Sequence, residues 1–265
     1  MKSKRAKPPA KRKPNGAQGA PLTELHGIGK TFDSGVIALR DISFSIRRGE
    51  FLSLLGASGC GKTSLLRIVA GLLAPDTGDI AWQEGNRPRE TGFVFQEPAL
   101  MPWASIGANI RLPLQLLGID GRTAELRTRD ALSQVGLEKF ADSRPHELSG
   151  GMKMRASLAR ALIVKPKLLL MDEPFAALDE ISRFKLNDEL LALWQKLGCT
   201  IVFVTHSVFE AAYLSTRTLV MSSRPGTIVE IYDREGTFCG RGFYNGHSRI
   251  TLRVLSEDPD EDIDD

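Results

Sequence analysis

Cysteine is scarce in this chain: three residues (Cys60, Cys199 and Cys239) among 265, far apart and without metal-ligand spacing. So sparse and odd a set argues against a disulfide framework and suits a reducing compartment. Nowhere does the sequence approach the ~18 consecutive apolar residues of a membrane-spanning helix. The basic N-terminus lacks a following apolar stretch, so no secretory signal is expected, and any membrane association must come through a partner. There is no internal repeat and no long coiled-coil pattern. Net charge is also small, at +3, and it hides an asymmetry. Residues 1–16 hold seven bases and no acid, and residues 257–265 hold seven acids and no base. The tails cancel, which leaves the body too weakly basic to argue for a nucleic-acid partner.

Against these absences stands one dense stretch, Gly56-Ala57-Ser58-Gly59-Cys60-Gly61-Lys62-Thr63. It fits G-x-x-x-x-G-K-[ST] in full, the pattern of a loop that cradles phosphate. The apolar run Phe51 to Leu55 precedes it, short enough for a buried strand. Ser64 to Ala70 follows with apolar residues at helical spacing. Glycines let the backbone curl until successive N–H groups face phosphate oxygens, and a helix beginning near Lys62 adds its partial positive charge. Lys62 would reach the β- and γ-phosphates, and the Thr63 hydroxyl would ligate Mg²⁺. This context implies a bound nucleoside triphosphate. Cys60 occupies a free position of the motif, so its thiol is expected to be incidental.

Residues 1–20, rich in Lys, Arg, Pro, Gly and Ala, read as a disordered basic arm. Asp41 to Arg47 alternates as a half-buried strand, and Gly49 turns it into the phosphate-loop strand. Phe32 lies upstream on a β-rich layer, where it could stack on a nucleotide base or simply pack in the core. Asp79 to Trp82 and Phe93 to Gln96 read as short strands. From about 97 to 147 the character changes to helix-like segments with charged faces, such as Thr123 to Val135. Leu168 to Met171 and Thr200 to Val204 are unbroken apolar runs, as parallel strands covered on both faces require. Residues 181–197 suit a crossover helix between them, and a strand over Thr218 to Met221 completes a doubly wound α/β core.

The strand Leu168 to Met171 delivers Asp172 and Glu173 at its carboxyl end, the edge where ligands collect in an open parallel sheet. Asp172 would hold Mg²⁺ and Glu173 would polarise a water aimed at the γ-phosphate. His206 ends another strand at that edge and could contact the γ-phosphate. Asp179 could serve only as the N-cap of the helix after it. Leu148-Ser149-Gly150-Gly151-Met152 precedes the helix-like run Lys153 to Val164 and again exposes N–H groups to an anion. One nucleotide does not need two such helix starts from one chain, so this one is expected to serve a nucleotide held by another subunit.

At these residues, over about 22–233, the chain resembles the ATP-binding subunits of ABC transporters. Gly56 to Thr63 looks like the Walker A loop, with Ser64 beside it, and Gln96 looks like the Q-loop. Leu148 to Met152 looks like the signature motif, Leu168 to Asp172 like Walker B with Glu173 as its catalytic glutamate, Asp179 like the D-loop and His206 like the switch histidine. Phe32 falls where the family places its adenine-stacking aromatic. Met152 departs from the signature, where glutamine is commonest. Phe95-Gln96-Glu97-Pro98, Met101-Pro102-Trp103 and Ser149 to Met152 look most like the nitrate, sulfonate and taurine importer branch.

The resemblance implies a P-loop NTPase core with a mostly parallel doubly wound sheet, an N-terminal antiparallel β layer and a helical subdomain over about 97–163. The ATPase domain would span 21–240, with a C-terminal extension over 241–265. Implied cofactors are ATP and Mg²⁺, with Thr63, Gln96 and Asp172 toward the metal. Implied catalytic residues are Lys62, Glu173 and His206, and nucleotide contacts extend from Phe32 and Gly56–Ser64 to Gln96, Ser149, Gly150, Gly151 and Asp179. Implied partners are integral membrane permease subunits, a second ATP-binding subunit in a head-to-tail dimer and, indirectly, a solute-binding protein. The chain would sit peripherally on the cytoplasmic face of the cell membrane. An exporter or lipid-extraction ATPase and a non-transport ATPase of the same superfamily are the competing readings.

Overall fold

Two sheets and a helical layer share the chain between them in the computed structural model, which describes residues 20–85, 91–223, 225–232 and 238–241. The basic residues 1–16, the acidic residues 257–265 and nearly all of the expected extension lie outside the described residues. The first sheet is antiparallel. Strands β1 (Pro21–Thr31) and β2 (Ile37–Arg47) form a hairpin, and β4 (Thr77–Trp82) pairs with the other edge of β1. Alternation buries Ile42, Phe44 and Ile46 from β2, and a register shift in β1 between Leu25 and Ile28 lets both of these reach the same core.

The second sheet has the order β10-β9-β8-β3-β7-β6-β5. Its parallel part comprises β3 (Phe51–Gly56), β5 (Thr91–Val94), β6 (Leu168–Asp172), β7 (Thr200–Thr205) and β8 (Arg217–Met221). Strands β6 and β7 are buried along their whole length, as their unbroken apolar runs require. Beyond the expected strands, β9 (Ile228–Tyr232) adds antiparallel to β8, and β10 (Phe238–Arg241) adds antiparallel to β9. Because β3, β6, β7 and β8 run parallel, their carboxyl ends open on one edge. That edge receives the loop after β3, Asp172 from β6 and His206 just past β7.

Helix α1 (Lys62–Val69) follows β3 and buries Leu65, Leu66, Ile68 and Val69 between the sheets. Helices α2 (Ile106–Leu116), α3 (Gly121–Gln134) and α4 (Gly150–Leu162) form the helical layer around Ile106, Ile110, Leu114, Leu132 and Ala156. Ser105 caps α2 and Asp120 caps α3, each side chain accepting from a backbone N–H three residues on. Fully buried Asn109 donates to the Met101, Ala104 and Ser105 carbonyls and accepts from the Met101 N–H, pinning the loop before α2 while Trp103 stays 74% exposed. Helix α4 turns Ala156 and Ala159 into the helical layer, and Met154, Leu158 and Ala161 onto the core beside β6. It starts three residues earlier than expected, so Gly150 and Gly151 are its first turn. Helices α5 (Glu180–Leu197) and α6 (Val208–Leu214) complete the chain order, with α5 leading from β6 to β7.

Candidate active site

The turn from β3 into α1 admits only glycine at its critical point. Gly61, the N-cap of α1, sits at φ 105°, and a Cβ there would lie 2.6 Å from the Ala38 carbonyl oxygen. Gly56 is equally confined, since a Cβ would meet the Cys60 sulfur at 2.8 Å. Cys60 is therefore not incidental to packing. Its side chain is 1% exposed and belongs to the core under the loop.

Lys62 is 3% exposed, which obliges its ammonium to find compensation. It donates to the Gly56 and Ala57 carbonyls, both at 2.8 Å, and lies 3.3 Å from Glu173 Oε1. The second Glu173 oxygen is 3.0 Å from His206 Nδ1. Glu173 itself adopts φ 43°, a left-handed conformation held by its N–H donating to Val204 O at 3.1 Å. A non-glycine residue there carries strain of roughly 1–3 kcal/mol, the kind that accumulates at functional positions. Beside it, the Thr63 hydroxyl donates to Asp172 Oδ1 at 2.8 Å. Burial pushes the Asp172 carboxyl above its ordinary value, although the Thr63 bond opposes this.

A cleft of about 160 Å³ opens over Lys62, Thr63 and Glu173. Gly59, Gly61, Lys62, Thr63 and Ser64 line it from the loop side, Glu173 from just past β6, Phe32 and Val36 from the turn between β1 and β2, and Ala38 from β2. Phe32 is 41% exposed just past the end of β1, so it lines the cleft instead of packing in the core. Val36 and Ala38 carry no sequence signal for this position, since only the hairpin brings them over the loop.

The fold thus brings Phe32, the loop, Asp172, Glu173 and His206 together. It leaves three other expected segments outside the cleft. Gln96 is exposed, two residues past the end of β5. Ser149 caps α4, its hydroxyl accepting from the Met152 N–H at 3.3 Å, and Ser149 and Gly150 are both exposed. Asp179 caps α5 through the Ser182 N–H at 2.9 Å, and its bonds to Ser182 hold the carboxyl below its ordinary value. The last two segments adjoin each other, since a Cβ on Gly150 would touch Leu178 Cδ2 at 3.6 Å.

The donor set suits a small hard cation. Asp172 and Thr63 present adjacent oxygens, and among the described residues no group of three His, Cys, Asp or Glu side chains could hold a metal alone. Mg²⁺ is ordinarily bound by one or two protein oxygens, with waters and substrate phosphates filling its sphere.

Comparison with known proteins gives a consistent family signal. The profile of the ABC transporter family matches residues 39–176. A PUA-like domain profile matches residues 215–257, beginning two residues before β8. An aliphatic sulfonates import ATP-binding protein of Xanthomonas axonopodis pv. citri is 44% identical over 210 residues, covering 77% of this chain and 82% of that protein. A taurine import ATP-binding protein of Rhizobium johnstonii is 43% identical over 201 residues, covering 75% and 77%. Among solved structures, the dimeric structure of a bacterial ABC transporter cassette superposes with a TM-score of 0.66 at 31% identity, over 75% of this chain and 93% of that one.

Proposed function

The chain belongs to the ABC transporter family, and from that premise we propose that it is the ATP-hydrolysing subunit of an importer for a small solute. The observation that carries the reading is the meeting of Lys62, Thr63, Asp172, Glu173 and His206 at one sheet edge, under a cleft lined by Phe32. The relatives named for sulfonates and taurine support a sulfonate or taurine as the solute, and the residues around Gln96 and Ser149, which resemble the nitrate, sulfonate and taurine importer branch, support nitrate as well.

Phe32 would stack on the adenine, and the N–H groups from Gly56 to Ser64 would surround the phosphates. Lys62 leaves Glu173 to meet the β- and γ-phosphates, which frees the Glu173 carboxylate to take a proton from the attacking water. His206, next to Glu173, orients that water against the γ-phosphate. Thr63, Asp172 and Gln96 would hold Mg²⁺, which when bound offsets the charge on the β- and γ-phosphate oxygens.

Ser149 and Gly150 are exposed and lie outside the cleft of their own chain. This favours a shared site closed by Ser149, Gly150 and Gly151 of a second copy, in a head-to-tail dimer with Asp179 near the contact. Among the described residues no helix is long and apolar enough to cross a membrane. Attachment to the cytoplasmic face would therefore come through permease subunits gripped by the helical layer, with a solute-binding protein acting indirectly. Closure on ATP and reopening after hydrolysis would drive alternating access.

Mixing two inactive subunits tests the shared site. Ser149→Arg alone and Lys62→Ala alone should each abolish turnover in the permease complex. Mixed dimers place both lesions on one composite site, leave the other intact and should recover activity. Wild-type hydrolysis by Ser149→Arg alone would overturn the shared site.

A further inference from the structure

Glu210, on the first turn of α6, is 5% exposed, and a carboxylate so buried requires defined partners. It accepts from the Thr205 hydroxyl, and the Thr205 oxygen in turn accepts from the Ser207 N–H at 2.9 Å. The Ser207 hydroxyl accepts from the Glu210 N–H at 3.3 Å. Of the two neighbours of His206, Thr205 is thus held by the Glu210 side chain, and Ser207 by the Thr205 hydroxyl and the Glu210 backbone. The remaining Glu210 oxygen lies 3.7 Å from Arg183 Nε on α5, and Arg183 Nη2 donates to the Leu178 carbonyl at 3.1 Å. Leu178 precedes Asp179 and touches the position of Gly150.

We propose that Arg183 and Glu210 are positioning residues that couple the Leu178–Asp179 segment to His206, so that engagement of that segment by a second subunit sets His206 and Glu173 for hydrolysis. The proposal rests on the ATPase reading above and adds a route within the chain. Contacts are continuous along it, from Leu178 through Arg183, Glu210 and the flanks of His206 to Glu173. At 3.7 Å the Arg183–Glu210 pair is an ion pair without a hydrogen bond. A change at Leu178 can therefore alter it without breaking the Thr205 and Ser207 bonds. Neither side chain lines the nucleotide cleft.

The test uses the full chain assembled with its permease. Glu210→Gln keeps an acceptor for Thr205 but removes the charge facing Arg183. It should lower kcat roughly 3- to 30-fold, the span of measured coupling effects, while KM for ATP and Tm stay near wild type. Arg183→Gln, on a partly exposed side chain, should do the same and carries the test if Glu210→Gln folds poorly. Arg183→Lys should restore most of the rate. The double variant should be no slower than the slower single variant, and neither substitution should slow the residual single-turnover rate of His206→Ala further. An unchanged kcat in both single variants would overturn the proposal. So would multiplicative losses in the double variant or in the His206→Ala background, which would mark a purely structural pair. Failure of the wild-type complex to hydrolyse ATP would instead sink the ATPase reading itself, and the coupling with it.

Discussion

Replacing Glu173 by Gln removes a charge while keeping length and volume, so its effects on chemistry, binding and fold can be separated. Glu173 is 15% exposed at its side chain, between Lys62 at 3.3 Å and His206 at 3.0 Å. An amide cannot take the water's proton, and general-base catalysis contributes about 10²–10⁴ in rate. That corresponds to roughly 2.7–5.5 kcal/mol of barrier at about 1.36 kcal/mol per decade. Binding should move the other way. In the free chain Glu173 competes with phosphate for Lys62, and removing it also takes a negative charge from the site, so ATP affinity should hold or tighten by up to about tenfold. The fold should lose little, because Lys62 keeps its bonds to Gly56 and Ala57. A partly exposed pair broken on one side warrants about 1–2 kcal/mol, or a Tm drop of roughly 2–8 °C in a domain this size. The backbone strain is the same for either residue. Phosphate release in single turnover, nucleotide binding by a fluorescent analogue, and thermal unfolding measure the three quantities. A rate within about threefold of wild type would remove Glu173 from the role of base, whatever the small change in Tm.

Gly61→Ala should destabilise the fold by about 2–4 kcal/mol, since it adds a Cβ 2.6 Å from the Ala38 oxygen at φ 105°; an unchanged Tm would mean the loop relaxes freely. Deleting residues 1–18 and 257–265 should leave ATP turnover and Tm unchanged, because dense runs of like charge bury little; a large loss of either refutes that reading. Burial pushes the Cys199 thiol above its ordinary value, so the folded state holds that proton longer than the unfolded chain does. The associated stability is complete at neutral pH and declines as pH rises past the unfolded thiol value of about 8.5 and through the folded one. Cys199→Ala should flatten that alkaline decline in a Tm-versus-pH series; an unaltered slope would assign it to other groups.

Much of this fold is local in origin. The run Phe51 to Thr63 carries its own instructions: a strand's worth of apolar residues, glycines where the chain must turn left-handed, then a helical period. The same holds for the apolar runs of β6 and β7, whose lack of alternation already implied cover on both faces. Asp172, Glu173 and His206 were legible because parallel strands deliver their carboxyl ends to one edge, whatever the details of pairing. Other features depend on contacts between residues far apart in sequence, which no local pattern encodes. The hairpin sets Phe32, Val36 and Ala38 over a loop more than twenty residues later. Close packing of Gly56 against Cys60 puts a nominally free motif position in the core. The left-handed turn at Glu173 and the Arg183–Glu210 pair arise only where β6, β7, α5 and α6 converge. Periodicity and glycine spacing report the conformation of a few neighbouring residues, whereas buried ion pairs and strained turns are settled by which elements the completed core presses together.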